Sequence, residues 1–171
     1  VAADAGAVAA LQDAELEGVN LGVVLLNAAN NGLVQVIQFL LGLVDAAGAR
    51  RVDVNIQGNG NMTPLHYAAR NGHVGAINAL LAGGADKEAR AANQATPLHL
   101  AADKGHVEVI KALLAGGADK EARGANQMTS LHLAADKGHV EVIKALLDGG
   151  AHIEARDENK MTPLHLAADK D

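Results

Sequence analysis

Residues 96–117 read TPLHLAADKGHVEVIKALLAGG, two short helical patterns punctuated by glycine. Thr96 is suited to cap a helix, its hydroxyl accepting from a free N–H of the first turn. Pro97 follows at the first helical position, where a missing N–H costs nothing. Leu98, Ala101 and Ala102 then share one face by the i, i+3, i+4 rule. Gly105 is placed to end this helix in the left-handed conformation. A second helix carries Val107, Ile110, Leu113 and Leu114 on one face. Glu108 lies near its positive end and Lys111 nearer its negative end, in agreement with the helix dipole. Gly116 and Gly117 stop it, and the polar stretch ADKEARGANQ (118–127) reads as an extended, exposed connection.

The unit recurs. T-x-L-H stands at 63–66, 96–99, 129–132 and 162–165, each 33 residues after the last. Residues 87–119 and 120–152 align without a gap and differ at only five positions, so they are copies of one module. A helix pair of this size cannot bury its own apolar face and must stack on its neighbours. The 33-residue period, with TPLHLAA, G-H-x-E-x-I and LL-x-G-G-A-D, resembles the ankyrin repeat. The likeness is close over 58–171 and looser over 18–57. It implies an all-α ankyrin-repeat solenoid, with stacked antiparallel helix pairs and projecting β-hairpin-like loops. It also implies protein binding through loop tips and inner helices, in a family that is not enzymatic by itself.

On this pattern the repeats run over 58–90, 91–123 and 124–156, with a partial repeat at 157–171. VVLLNAANNGLVQVIQFLL (23–41) aligns with TPLHYAARNGHVGAINALL (63–81), placing Gly32 on Gly72 and Leu25 on Leu65 at a separation of 40. A divergent repeat over 18–57 therefore carries seven extra residues within 42–55, including Arg50 and Arg51. Residues 1–17 are expected to form a capping helix or a degenerate repeat. TPLHLAADKD (162–171) stops one helix into a fifth repeat. A lone helix there would expose apolar surface, so we expect either a continuing natural chain or a helix serving as an improvised cap. Chains otherwise monomeric would have an end-to-end contact available through this open repeat.

Composition narrows the function. The chain has 171 residues, a length at which folding buries roughly 70% of the unfolded chain's surface. Half of the residues are apolar, but Phe39 and Tyr67 are the only aromatics, so the core must be Ala, Leu, Val and Ile. The net charge is −6, and residues 1–49 hold five acids and no base. A nucleic-acid binder would show a basic face and stacking aromatics instead. The most apolar run, LVQVIQFLLGLV (33–44), is twelve residues with two Gln. A membrane span needs about 20. There is no signal-peptide pattern and no initiator Met, as a processed protein or an excised fragment would lack one. The absence of cysteine rules out disulfides and fits a reducing compartment, so a cytoplasmic location is expected.

The polar columns hold residue types that could carry chemistry. His66 and His73, His99 and His106, and His132 and His139 are each seven apart, but on different helices, and no third metal ligand recurs at a fixed offset. They read as hydrogen-bonding parts of the repeat; in the resembling family the His of TPLH ties the helix start to neighbouring loops. Ser130 and His132 would point apart at a helix start, and Ser130 stands where other repeats have Pro64, Pro97 and Pro163. No nucleophile–base–orienter set emerges, and no cofactor or metal is expected. Asp103 and Asp136 sit near helix C-termini, where an acid is unfavourable. With Lys104 and Lys137 they read either as a self-neutralising face or as a partner-facing ladder.

In the loops, the positions that carry Asp and Gly in the resembling family hold Gly58, Ala91, Gly124 and Asp157, then Asn61, Gln94, Gln127 and Lys160. One residue earlier lie Gly60, Asn93, Asn126 and Asn159. Gly and Asn tolerate positive φ, so the tight turn is expected to have shifted by one residue or relaxed. Met62, Met128 and Met161 precede the capping Thr, in a column that the resemblance turns towards the groove; Met is adaptable at recognition surfaces. Arg90, Arg123 and Arg156 form a neighbouring column of candidate anchors. Tyr67 is the outlier in a Leu column, and Arg70 and Asn71 replace Asp-Lys in that repeat. The differentiated material lies in residues 1–72.

The reading that follows is a non-enzymatic module that binds a protein on a rigid concave surface, with little entropy to lose. Its candidate contacts are the Met, Arg, loop-tip Asn and Asp-Lys columns, Tyr67, Arg70, Asn71 and the Arg50–Arg51 loop. The alternatives are an engineered or inert scaffold or spacer, motivated by the near-identical repeats, and a targeting or regulatory region of a larger enzyme or effector.

Overall fold

A computed structural model describes residue 16 and residues 18–43 and 48–168. The expected N-terminal helix, apart from Leu16, lies outside them, as do four residues of the inserted loop and residues 169–171. Nine α-helices are present among the described residues. They are α1 (Leu21–Asn30), α2 (Val34–Gly42), α3 (Pro64–Arg70), α4 (Val74–Ala82) and α5 (Pro97–Lys104). Then follow α6 (Val107–Ala115), α7 (Ser130–Asp136), α8 (Val140–Asp148) and α9 (Pro163–Ala168). Odd-numbered helices pack on one another in an inner row, and α2, α4, α6 and α8 form the outer row. No described helix is long and apolar enough to cross a membrane.

The helices start where the Thr column says. Thr63, Thr96 and Thr129 are N-caps, each in a capping box closed by the His three residues on. The Thr96 N–H donates to His99 Nδ1 at 3.2 Å, so that nitrogen carries no proton. Nε2 then donates to the Met128 carbonyl of the next repeat, at 3.0 Å. His66 repeats this with Thr63 and the Ala95 carbonyl, and His132 with Thr129 and the Met161 carbonyl. One imidazole thus caps a helix and fixes the following repeat.

The second His column points backwards. His73, His106 and His139 donate from Nε2 to the carbonyls of Asn30, Arg70 and Asp103, at 3.0, 3.0 and 3.1 Å. Each ring lies against the glycine that ends the preceding inner helix. At Gly105, φ is +77°, and an added Cβ would fall 3.1 Å from the His139 ring. Glycine is therefore required there twice, by backbone conformation and by close approach.

The core is a continuous strip of small and aliphatic side chains between the rows. Leu25, Ile37, Leu65, Ile77, Leu98, Ile110, Leu113 and Leu146 are fully buried. Ala28, Ala68, Ala101 and Ala134 are buried on the inner helices, and their small size lets successive helices approach closely. Val52 and Val54 are also buried, so the end of the inserted loop feeds the core and Arg50 is held beside it. At the far end α9 has no outer-row partner among the described residues, and Leu164 is 71% exposed.

The loops are stitched in the 33-residue register. The Asp86 N–H donates to Asn55 Oδ1, Asp119 N–H to Glu88 Oε1, and His152 N–H to Glu121 Oε1, at 2.7–2.8 Å. The tight turn has not shifted as expected. Positive φ stays at Asn61, Gln94, Gln127 and Lys160 in all four loops, and Gly60 and Asn126 merely join it in two. The reason is register. Gly58, Ala91, Gly124 and Asp157 donate to the carbonyls of Met62, Ala95, Met128 and Met161, at 2.9–3.0 Å, and this closure holds the original column left-handed.

Candidate functional site

The inner helices and loop tips form one continuous face, and its two halves differ. In the C-terminal half the polar groups are largely engaged with each other. Arg90 Nη1 donates to the Gln94 and Arg123 carbonyls, at 3.0 and 2.5 Å. Arg123 Nη1 donates likewise to the Gln127 and Arg156 carbonyls, at 2.8 and 2.6 Å. Arg156 Nη1 donates to the Lys160 carbonyl. These side chains fasten the strained tips of their own loops to the next loop.

The Asp-Lys ladder also closes on itself. Lys104 pairs with Asp103 at 2.9 Å, and Lys137 with Asp136 at 3.0 Å. Lys137 reaches back to Asp103 at 3.9 Å, bridging two repeats. The hydrogen bond to Asp136, helped by the charges of both acids, raises the Lys137 pKa. Asn93, Asn126 and Asn159 are exposed at the loop tips, with Asn93 Oδ1 accepting from the Ala95 N–H. Met128 and Met161 are half-buried and give their carbonyls to the His column.

Among the described residues, the N-terminal half is open. Tyr67 stands half-buried on α3, with the Arg70 guanidinium 5.3 Å from its ring centroid. Arg70 Nη1 also faces Met62 Sδ at 3.8 Å, a weak acceptor. Asn71 Nδ2 donates to Asn30, to its carbonyl and to Oδ1, both at 2.9 Å. Two clefts flank this group. One, of about 510 Å³, lies between α1 and the first loop and includes Val23, Leu26, Asn27, Ile56, Gln57 and Tyr67. The other, of about 300 Å³, includes Met62, Arg70, Ala92, Asn93 and Leu100. Arg50 and Arg51 stand apart from both. Arg50 Nη1 donates to the Gly83 carbonyl beyond the end of α4, and Arg51 is exposed in the inserted loop.

The α1 wall of the larger cleft was not among the residues singled out from the sequence. Its signal was present: Asn20, Val23, Asn27 and Asn30 lie at i, i+3, i+7 and i+10, one face of a helix. Asn20 caps α1 by accepting from the Val23 N–H at 3.1 Å, and Val23 is 47% exposed.

His66, His99 and His132 have little left to offer a metal or a substrate. Both ring nitrogens of His66, His99 and His132 are occupied by protein groups. Burial lowers their pKa values, which keeps them neutral. No group of three or more potential ligands gathers among the described residues. The Ser130 hydroxyl is buried without a hydrogen-bond partner, and His132 Nδ1 is taken by Thr129, so no Ser–His couple exists.

A helical-repeat solenoid with a polar-lined inner face is the class that this geometry defines. The family model described as ankyrin repeats (3 copies) matches residues 25–124 and 117–171. The chain belongs to the ankyrin repeat family. Members are generally protein–protein interaction modules and typically non-enzymatic. No curated protein matches the chain.

Proposed function

We propose that this chain is a non-enzymatic protein-binding module that receives its partner on the concave face, chiefly in the N-terminal half. One observation carries the reading. Tyr67, Arg70 and Met62 form an open group between two clefts, whereas at the positions equivalent to Arg70 further on Asp103 and Asp136 are paired with the lysines beside them. A preformed cleft on rigid helices presents side chains at little ordering cost. The module acts as a monomer in a reducing compartment, as its cysteine-free sequence suggests, and engages neither nucleic acid nor membrane.

The test is photocrosslinking in lysate with a benzophenone amino acid. Placed at Tyr67 it should capture a discrete partner; placed at Lys144, exposed on the outer row, it should not. Absence of a product at 67, or the same products at both positions, would overturn the proposal. A second reading has its own support for residues 87–152 alone. Their near-identity and self-satisfied polar groups suit a spacer that extends the stack, whether in a scaffold or in the targeting region of a larger enzyme.

A further inference from the structure

Along the inner-helix edge of the N-terminal half, the sign of the charge is set by one residue. Along the edge of the inner helices, successive repeats present Asn30 and Asn31, then Arg70 and Asn71, then Asp103 and Lys104, then Asp136 and Lys137. The last two rungs neutralise themselves. The first carries no charge. The Arg70 rung carries one positive charge, and no described carboxylate lies within ion-pair distance of it. Neither flanking cleft is lined by an acid. Among the described residues, a carboxylate arriving there meets a cation and no acid.

Arg70 is also held in place. Its carbonyl accepts from His106, and its guanidinium rests on the Tyr67 ring and against Met62. A planar guanidinium fixed on an aromatic face is pre-organised to bind a carboxylate through two parallel hydrogen bonds. The clefts are otherwise aliphatic and amide-lined. Asn27, Gln57 and Asn59 offer both donors and acceptors, which suits the backbone of an extended chain. Arg70 is the one cation lining the two clefts, too few to follow a nucleic-acid backbone there, and the chain's net charge is −6.

We infer that the N-terminal half of the concave face takes an extended peptide segment that sets an Asp or Glu carboxylate on Arg70 and aliphatic side chains in the clefts on either side. This rests on the concave-face reading above and names the chemistry of the partner. The whole chain is panned against a phage-displayed library of random dodecapeptides, in parallel with Arg70→Glu. Peptides selected by the native chain should be enriched in an acid flanked by aliphatic residues, and those selected by Arg70→Glu should carry Lys or Arg at that place. Affinity for the best acidic peptide should fall on the order of 10- to 100-fold in Arg70→Gln, as expected for a charge-assisted pair. Lys144→Gln, exposed on the outer row, should leave it unchanged.

Thermal melts establish that the variants fold, since only the Arg70 backbone takes part in the stack's hydrogen bonding. Selected peptides that crosslink to Tyr67 but show no acid and no reversal would overturn the inference and leave the concave-face reading standing. Failure to select any peptide that crosslinks there would overturn both. Displacement of the acidic peptide by a twelve-nucleotide oligothymidylate at equal concentration would overturn the inference in favour of phosphate recognition.

Discussion

Ser130 occupies the first helical position of α7, where the other repeats have Pro64, Pro97 and Pro163. Its hydroxyl is fully enclosed and makes no hydrogen bond. A buried polar atom left without a partner costs about 1–3 kcal/mol. Proline at this site sacrifices no helix bond, because the first N–H groups of a helix have no intrahelical acceptor. It also restricts the unfolded chain, a gain of about 0.4–1 kcal/mol. Ser130→Pro is therefore expected to stabilise the chain by about 1 kcal/mol or somewhat more, read as a higher urea midpoint at unchanged slope. A lower midpoint would mean that α7 does not begin as its sister helices do. Ser130 itself is not poised as a nucleophile, since its hydroxyl is enclosed and His132 Nδ1 is engaged by Thr129.

At the scale of the element, the start of each inner helix is held by an imidazole that must stay neutral. Burial lowers the pKa of His66, His99 and His132 below the ordinary 6.5. Protonating Nδ1 would turn an N–H towards the Thr N–H that it now accepts. The folded chain thus resists protons that the unfolded chain takes up. The stability contributed by each His is complete above pH 6.5 and is lost as the pH falls from there towards the folded pKa. The slope is at most about 1.4 kcal/mol per pH unit per His. Urea unfolding between pH 7.5 and 5.0 should show stability falling only in the acid half, and His99→Gln should flatten that fall by about one third of the three-His effect. A flat profile would mean that these rings carry no linkage. The helix starts were legible because Thr, Pro and His act within one turn of each other. Their longer reach was not. His66 meets a carbonyl 29 residues on and His106 one 36 residues back, distances that only the stacked geometry defines. The Arg column reads as free anchors in one dimension because its acceptors are backbone carbonyls, which leave no mark in the sequence. The alternation in RVDVN (51–55) matches the burial of Val52 and Val54, beside an exposed Arg51.

For the whole molecule, stability is a sum over neighbours, and one column of leucines measures it. Leu65, Leu98, Leu131 and Leu164 occupy the same position in successive repeats, with exposures of 0%, 1%, 2% and 71%. Nothing in the local sequence distinguishes Leu98 from Leu164, since both stand in TPLHLAADK. The difference arises because a following inner helix, α5, α7 or α9, lies over each of the first three, and no described helix follows the last. In an array whose repeats are held by their interfaces, the cost of a truncation follows burial and not sequence context. Leu98→Ala and Leu131→Ala should each cost about 2–5 kcal/mol, the range for removing a buried leucine from a packed core. Leu164→Ala should cost no more than about 0.5 kcal/mol. Chemical unfolding of the three variants decides it. A large loss at Leu164 would show that the apolar end, with Ile143, Leu147, Ile153 and Pro163 around it, is covered in solution. Sedimentation of the native chain across a concentration series would then separate a second copy, which makes the loss concentration-dependent, from cover supplied within the same chain, which does not.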